Sequence, residues 1–336
     1  MSKEEETKES LEIFAKWNGK EYKVCLKPEQ TICDVKESLF HATQVLPKRQ
    51  KLIGLFNAGH EEVKGRSQAE VDMIPISRLS IPNKKKFMLV GTPEESIFQE
   101  LKPEEMPDVF NDFDYDPRAV GYTRTEENMS KLHNRLKTTE IHLINEPRPD
   151  KKLLVLDLDY TLLDMKALDK ATSTRDIMRP HLEEFLIAAF KKYDIAFWSQ
   201  THWKWIEMKL SEMGCFNNPH YHVLFALDRK SMFPITTHAK EGKDHTHEVK
   251  ALEIIWNKLP QYSAKNTIHV DDLRRNFAMN PQSGLKVHAF KDALQNREDK
   301  ELFHLSQYLD FIGDHEDFTT LDHSQWKYTI GLKKPK

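Results

Sequence analysis

Two carboxylates and a hydroxyl end an apolar run in the middle of the chain. Residues 153–159 read LLVLDLD, and Thr161 follows closely behind. Side chains two residues apart in an extended chain share a face, so the carboxylates of Asp157 and Asp159 would lie about 7 Å apart at the open end of a strand. Two acids so placed can divide the work of a nucleophile and a general acid. The alternative interpretation is a strand that ends in an ordinary polar turn. Residues later in the chain decide between a catalytic pair of acids and such a turn.

Further polar residues follow apolar runs later in the chain. Ser199 comes after IAFW, Asp271 and Asp272 come after NTIHV, and Lys250 precedes the helical stretch ALEIIWNKL. Each signal is weak alone, because a serine after a strand is often a turn residue, a single lysine is usually solvated and adjacent aspartates often cap helices. Ligands of parallel α/β sheets gather at the carboxyl ends of the strands. The order and the strand-end positions of these residues together indicate one site.

This order of motifs resembles that of the haloacid-dehalogenase phosphatases. DLDYT at 157–161 matches their first motif, DxDxT, and Ser199 matches the hydroxyl that binds the transferring phosphoryl group. Lys250 matches the basic residue of the third motif. The resemblance implies that Asp157 is the nucleophile and that Asp159 protonates the leaving oxygen and later deprotonates water.

A divalent cation is expected at this site. A phosphomonoester dianion repels a carboxylate nucleophile, so a cation must lie between them. Oxygen-only ligands suit Mg²⁺. The predicted ligands are the Asp157 carboxylate, the Asp159 backbone carbonyl and the Asp272 carboxylate, while Asp271 is predicted to orient Lys250.

Four segments narrow the resemblance to the phosphatases of the RNA polymerase II C-terminal domain. They are LDLDYTLLD, MRPHLEEFL, WSQT and VDDLRRNF. The resemblance implies phosphoserine or phosphothreonine in a protein as substrate. The chain departs from the family at Gln200, where alanine is common, and at Asp272, where many relatives have asparagine. A phosphatase for small metabolites is an alternative, because it would share every motif.

The segments around these motifs predict an α/β domain over residues 123–330. Apolar strands alternate with helical stretches beyond Lys151, which favours a parallel sheet with helices on both faces, a Rossmann-like haloacid-dehalogenase fold. The stretch 217–249 is predicted to form a small β insertion. IHLI at 141–144 is predicted to be a strand.

The N-terminal residues predict a second, smaller domain. LEIFAKW alternates with the period of a strand, Asn18-Gly19 is a strong hairpin signal, and Thr31 can cap the helical stretch that follows. The predicted order is strand, strand, helix, strand, strand. This order over residues 11–92 resembles the α+β ubiquitin-like β-grasp fold. The stretch 93–122 is predicted to be an acidic linker.

The resemblance to ubiquitin also implies a partner-binding patch. Its residues are Lys51, Ile53, Met88 and Val90, which would face outward; that they fill the domain's own core is the alternative. The pairing of a ubiquitin-like module with such a phosphatase resembles the proteasome-associated nuclear phosphatases. This resemblance implies a nuclear protein that docks on the proteasome regulatory particle and restrains proteasome activity. A catalytically inactive adaptor is a further alternative.

Composition limits the remaining possibilities. The 336 residues include 50 basic and 53 acidic side chains, a net charge of -3, so no overall positive field favours nucleic acid. Three cysteines are too few for a disulfide framework or a thiolate zinc site. The few cysteines, the acidic and polar start MSKEEETKES and the lack of about 18 consecutive apolar residues together predict a soluble intracellular protein without a membrane span.

Overall fold

The computed structural model describes residues 10–56, 60–91, 93, 123–238 and 244–332. The chain divides into two compact units. The first combines Met1–Leu101 with Glu207–Pro219, and the second combines Lys102–Ile206 with His220–Lys336. Apart from Pro93, the predicted acidic linker lies outside the described residues, so the predicted domain boundaries stay a prediction.

A hairpin begins the first unit. Strands β1 (Leu11–Trp17) and β2 (Lys20–Leu26) pair antiparallel. The turn between them has positive φ at both Asn18 (49°) and Gly19 (74°). Two consecutive positive φ angles match the right-handed twist of the flanking strands, which is why Asn-Gly favours this turn.

One helix packs on the sheet that this hairpin starts. Helix α1 (Ile32–Thr43) begins at a capping box, in which Thr31 accepts from the amide of Asp34 and the Asp34 carboxylate accepts from the amide of Thr31. Its buried face meets the apolar core of the sheet.

The other strands complete a four-stranded sheet. Strand β3 (Lys51–Ile53), helix α2 (Gln68–Asp72) and strand β4 (Lys85–Val90) follow α1. The strand order is β2-β1-β4-β3, with β1 and β4 parallel. The predicted order of two strands, a helix and two strands is therefore confirmed, with the short α2 added before the last strand.

A five-stranded parallel sheet forms the centre of the second unit. Its strand order is β11-β10-β5-β6-β7, and all neighbours run parallel. Residues 153–156 of β5 are inaccessible on both faces, which explains why this run is continuously apolar. The strands are β5 (Lys152–Leu156), β6 (Tyr193–Trp198), β7 (Val223–Leu227), β10 (Thr267–Asp271) and β11 (Gly284–Lys286).

The helices of this unit lie between and after the strands. They are α3 (Glu126–Thr138), α4 (Thr174–Ile177), α5 (Leu182–Phe190), α6 (Trp203–Glu212), which begins in this unit, α7 (Glu253–Lys258), α8 (Glu301–Ile312) and α9 (Trp326–Thr329). The predicted parallel α/β layout is confirmed. Among the described residues, none of the helices has the length and apolar character needed to span a bilayer.

A small antiparallel hairpin lies between β7 and β10. Strands β8 (Phe233–His238) and β9 (Asp244–Val249) pair along their full lengths. The hairpin falls in the stretch that was predicted to form a β insertion. Because β9 ends at Val249, the hairpin leads directly into Lys250.

Candidate active site

The strand-end residues meet at one edge of the parallel sheet. Asp157 follows β5, Ser199 follows β6 and Asp271 ends β10. Strand β5 lies between β6 and β10, and the three strands are parallel, so their carboxyl ends are neighbours. All three side chains are buried. The structure therefore brings together residues that are far apart in the sequence.

The turn after β5 is hydrogen-bonded both to Asp157 and to Asp272, the residue that follows β10. Tyr160 has a left-handed φ of 61°, and its amide donates to the carbonyl of Leu163 at 2.7 Å. The Thr161 hydroxyl donates to Asp157 Oδ2 at 2.8 Å, and the amide of Asp272 donates to Thr161 Oγ1 at 3.2 Å. Thr161 thus fixes both the nucleophile segment and the segment after β10.

The ammonium of Lys250 lies between two carboxylates. Its Nζ is 2.6 Å from Asp157 Oδ1 and 2.8 Å from Asp271 Oδ2, and the side chain is fully buried. Burial acts to lower the pKa of Lys250, but the two carboxylates outweigh it and raise that pKa above its usual value. Lys250 therefore remains charged at neutral pH, where it can neutralise a phosphoryl oxygen.

The two carboxylates that Lys250 joins differ in pKa. Burial raises the pKa of Asp157 well above its usual value; the Lys250 ammonium opposes this effect, and the nearby carboxylates add to it. Burial also acts to raise the pKa of Asp271, but Lys250 and His269 outweigh it, so this pKa is lowered. Asp271 is the permanent counter-ion of Lys250, whereas Asp157 needs further positive charge to be fully ionised.

Asp159 lies across the site against the hydroxyl of the second motif. Ser199 Oγ donates to Asp159 Oδ2 at 2.7 Å, and Trp205 Nε1 donates to Asp159 Oδ1 at 3.4 Å. Ser199 Oγ is also 2.7 Å from Thr201 Oγ1 and accepts from the amide of Thr201 at 3.0 Å. The carboxylates of Asp157 and Asp159 thus have different neighbours, as two chemical roles require.

Known proteins are similar to this chain over most of its length. The family model described as NLI interacting factor-like phosphatase matches residues 152–319. The chain is 43% identical to Ubiquitin-like domain-containing CTD phosphatase 1 of Danio rerio, over 97% of this chain and 99% of the relative. The chain belongs to the NLI interacting factor-like phosphatase family. The proteins of the same name from Gallus gallus and Homo sapiens are 42% and 43% identical over the same shares, and the chain is therefore a protein phosphatase.

Three carboxylates of the phosphatase could hold a metal ion. Oxygens of Asp157, Asp271 and Asp272 all lie within 4.8 Å of one another, and the three residues are buried. This oxygen-only donor set fits a hard divalent cation. A cation there would also supply the positive charge that ionisation of Asp157 needs.

This group differs from the predicted ligand set. Asp157 and Asp272 were predicted as ligands and belong to the group, whereas Asp271 was predicted only to orient Lys250. Asp159 was predicted to act through its backbone carbonyl, and this role stays a prediction. Its carboxylate points instead toward Ser199.

Arg179 is a buried residue of the phosphatase whose role was not predicted from the sequence. Its guanidinium forms two bonds to the Asp299 carboxylate, at 2.9 and 3.0 Å. It also donates to the carbonyl of Thr161 at 3.0 Å and to that of His288 at 2.9 Å. Arg179 therefore supports the turn that carries the nucleophile. The segment MRPHLEEFL contains it, so the family resemblance was the available signal.

The predicted partner-binding residues face away from the core of the first unit. Ile53 pairs with Met88 and Lys51 pairs with Val90 across β3 and β4. The alternating residues Phe87 and Leu89 belong to the apolar core on the other face. The predicted alternation of faces along β4 is therefore confirmed.

These residues are less accessible than an open docking patch requires. Val90 is 1% exposed and Ile53 is 9% exposed, while Met88 is half-buried. Within the same unit, the Lys51 ammonium donates to the carbonyl of Phe216 at 2.6 Å. Burial lowers the pKa of Lys51 to about 8. The expectation of an exposed patch thus needs correction, and its partner-binding role stays a prediction.

Proposed function

We propose that this phosphatase is magnesium-dependent, acts on phosphoserine or phosphothreonine in proteins, and works through an aspartyl-phosphate on Asp157. The observation that carries the proposal is the position of the Lys250 ammonium, 2.6 Å from Asp157 and 2.8 Å from Asp271. This arrangement places fixed positive charge beside a buried carboxylate, where a phosphoryl dianion would otherwise be repelled.

The proposed reaction has two half-reactions. Asp157 attacks phosphorus in line with the ester oxygen, so the bond from Asp157 to phosphorus forms as the ester bond breaks, and Asp159 protonates the leaving oxygen. Asp159 then takes a proton from water, the water oxygen attacks phosphorus, and the bond to Asp157 breaks to release phosphate. Ser199 and Lys250 donate to the phosphoryl oxygens in both steps.

Magnesium would be held by the Asp157 and Asp272 carboxylates and the Asp159 backbone carbonyl. When bound, it supplies neutralising charge for the phosphoryl oxygens and for Asp157. Asp271 lies within the same group of carboxylates but is bonded to Lys250. We therefore assign Asp271 to Lys250 and not to the metal.

Turnover of p-nitrophenyl phosphate tests this mechanism. The native chain, stripped of metal with EDTA, should be inactive and should recover activity with Mg²⁺. Asp157→Asn should abolish turnover, whereas the control Asp169→Asn, at an exposed aspartate, should not change it. An inactive native chain in Mg²⁺, or an active Asp157→Asn variant, would contradict the mechanism and favour the adaptor function.

The substrate class needs a separate comparison. The relatives are named CTD phosphatases, which supports a protein substrate. We expect a larger kcat/KM for phosphoserine or phosphothreonine peptides than for sugar phosphates. The reverse order would favour the metabolite phosphatase.

The N-terminal unit serves as a ubiquitin-like domain that docks on the proteasome regulatory particle. Its strand order β2-β1-β4-β3 and the name of the relatives support this assignment. Purified regulatory particle should bind the full chain and should bind Met88→Glu at least about tenfold more weakly, the loss typical of a single interface contact. Lys20→Glu, at an exposed residue of β2, is the control. Equal binding by both variants would exclude this patch.

The phosphatase acts in the nucleus, where it restrains the proteasome. Imaging of the fluorescently tagged full chain tests its location, and a cytoplasmic signal alone would contradict it. Peptidase activity of purified proteasomes, measured with native chain and with Asp157→Asn, tests the restraint. Equal proteasome activity with both proteins would exclude a phosphatase-dependent effect.

A further inference from the structure

Asn276 lies directly behind the counter-ion of Lys250. It belongs to a short 3₁₀ turn, Arg274–Phe277, that follows β10. Its side-chain amide Nδ2 donates to both oxygens of Asp271, at 2.9 and 2.8 Å, and the residue is 1% exposed. A buried carboxylate that accepts two bonds from one amide is held in a fixed orientation.

The other side of the Asn276 amide fixes which atom faces Asp271. Gln200 Nε2 donates to Asn276 Oδ1 at 2.6 Å. Because the Asp271 carboxylate only accepts, Asn276 must present its NH₂ group to Asp271 and its oxygen to Gln200. Both contacts support the same orientation of the amide.

The backbone of Asn276 reaches the third motif as well. The amide of Lys250 donates to the carbonyl of Asn276 at 2.8 Å. Asn276 thus contacts the residue after Ser199, the catalytic lysine and the counter-ion of that lysine. The signature motifs of the sequence assign it no role.

We propose that Asn276 is a positioning residue for the phosphatase reaction, an inference that rests on the proposed function. It holds the Asp271 carboxylate toward Lys250, and Asp271 in turn holds the ammonium 2.6 Å from Asp157. Without Asn276, each Asp271 oxygen would lose one donor, leaving the amide of Leu273 on Oδ1 and Lys250 on Oδ2, so the carboxylate would be less firmly oriented. The ammonium would then lose the orientation that the transferring phosphoryl group needs.

Asn276→Asp tests the donor side of this residue. The substitution keeps the shape and the acceptor for Gln200, but it replaces the NH₂ group by an oxygen facing Asp271. We expect kcat for p-nitrophenyl phosphate to fall by about 10- to 100-fold, the effect of losing a charge-assisted hydrogen bond in a buried site. KM should change by less than about threefold, because the proposed role is in the chemical step and not in substrate binding.

A second buried asparagine in the same segment is the matched control. Asn280 Oδ1 accepts from the amide of Leu252 at 2.8 Å, and the residue is 8% exposed. Asn280→Asp keeps that acceptor, so kcat should stay within about threefold of the native value. Equal losses in the variants of Asn276 and Asn280 would mean that any buried charge in this segment is harmful, and would overturn the proposal.

Gln200 provides a second and independent test. If Gln200 acts through Asn276, Gln200→Leu should lower kcat by about 3- to 10-fold without a matching change in KM. The double variant with Asn276→Leu should then be no slower than Asn276→Leu alone, because contacting residues of one network are not additive. If Asn276→Asp fails to fold, the kcat of Gln200→Leu tests the proposal instead. A kcat of Gln200→Leu equal to that of the native chain would overturn the proposal.

The outcomes separate this inference from the proposed function. A native chain without Mg²⁺-dependent turnover would refute the proposed function and this inference with it. A native chain of normal activity beside a folded Asn276→Asp variant of equal kcat would refute the positioning role alone.

Discussion

Replacing Lys250 by methionine should destabilise the second unit and slow the reaction strongly. Methionine has a similar length and shape but no charge. The ammonium lies 2.6 Å from Asp157 and 2.8 Å from Asp271, and its side chain is fully buried. At an effective dielectric constant of about 20, Coulomb's law gives ~6 kcal/mol of attraction for each of these pairs. The cost of removing the charges from water offsets part of it.

The net loss of unfolding free energy in Lys250→Met depends on the carboxylates that remain. Breaking a buried ion pair by removal of one partner typically costs ~3–5 kcal/mol, because the other charge stays buried without compensation. For a unit of about 200 residues this loss lowers Tm by roughly 6–20 °C. The kcat of Lys250→Met should fall by about 100- to 1,000-fold, since a donor to the phosphoryl group is lost in the transition state.

Scanning calorimetry in EDTA measures the first effect and p-nitrophenyl phosphate turnover measures the second. Lys258→Met, at an exposed lysine that ends α7, is the control and should change neither quantity. Added Mg²⁺ should raise the Tm of Lys250→Met more than that of the native chain, because it replaces part of the missing charge. A Tm of Lys250→Met within about 2 °C of the native value would refute the claim that the ammonium compensates these carboxylates.

Three further predictions concern the metal, pH and packing of the second unit. Mg²⁺ should raise the Tm of the EDTA-treated chain in a saturable manner by mass action, and Asp272→Asn should reduce that rise in thermal-shift measurements. Burial lowers the pKa of His323 to about 4. The pKa of His323 in the unfolded chain is near 6.5, so burial of the neutral imidazole contributes up to ~3 kcal/mol to the free energy of unfolding above pH 6.5. This contribution is lost as pH falls toward 4. Urea titrations should show a smaller loss of unfolding free energy over this pH range in His323→Gln. A Cβ at Gly284 would clash with the ring of Phe277, so Gly284→Ala should lower the free energy of unfolding in urea by ~1–3 kcal/mol.

Each of these three predictions would be contradicted by one measured result. A Tm that does not respond to Mg²⁺ would contradict the metal assignment. Equal acid destabilisation of the native chain and His323→Gln would place the titrating group elsewhere. A Gly284→Ala variant of native stability would show that Phe277 can move at no cost.

Short-range patterns predicted much of the site. The run LLVLDLD predicts a buried strand with acids at its end, and parallel pairing then places Ser199 and Asp271 beside Asp157. The Asn18-Gly19 hairpin follows from local backbone preference in the same way. The strand and the hairpin are predictable because their signals lie within a few residues, and the neighbours at the strand ends then follow from the general topology of parallel α/β sheets.

Contacts between distant segments were not predictable in this way. The bond from Gln200 to Asn276 depends on how the turn after β10 packs against the turn after β6, and no spacing in the sequence encodes it. The burial of Val90 does not follow from the alternation of β4, which places this side chain opposite the core residues Phe87 and Leu89. The predicted strand at 141–144 is not formed; the amide of Ile144 makes a bond to the carbonyl of Leu224 without a continuous ladder.

The strand order of the parallel sheet has a consequence for how the chain folds during synthesis. Strand β5, which carries the nucleophile, pairs on one side with β6 and on the other with β10, where Leu156 meets Val270 more than a hundred residues later. Pairing at such separation is slow, because the entropy of closing the long loop must be overcome first. Until β10 has left the ribosome, one apolar edge of β5 has no native neighbour and is open to aggregation. Phosphatase activity should therefore appear late in folding, only after β10 has paired with β5.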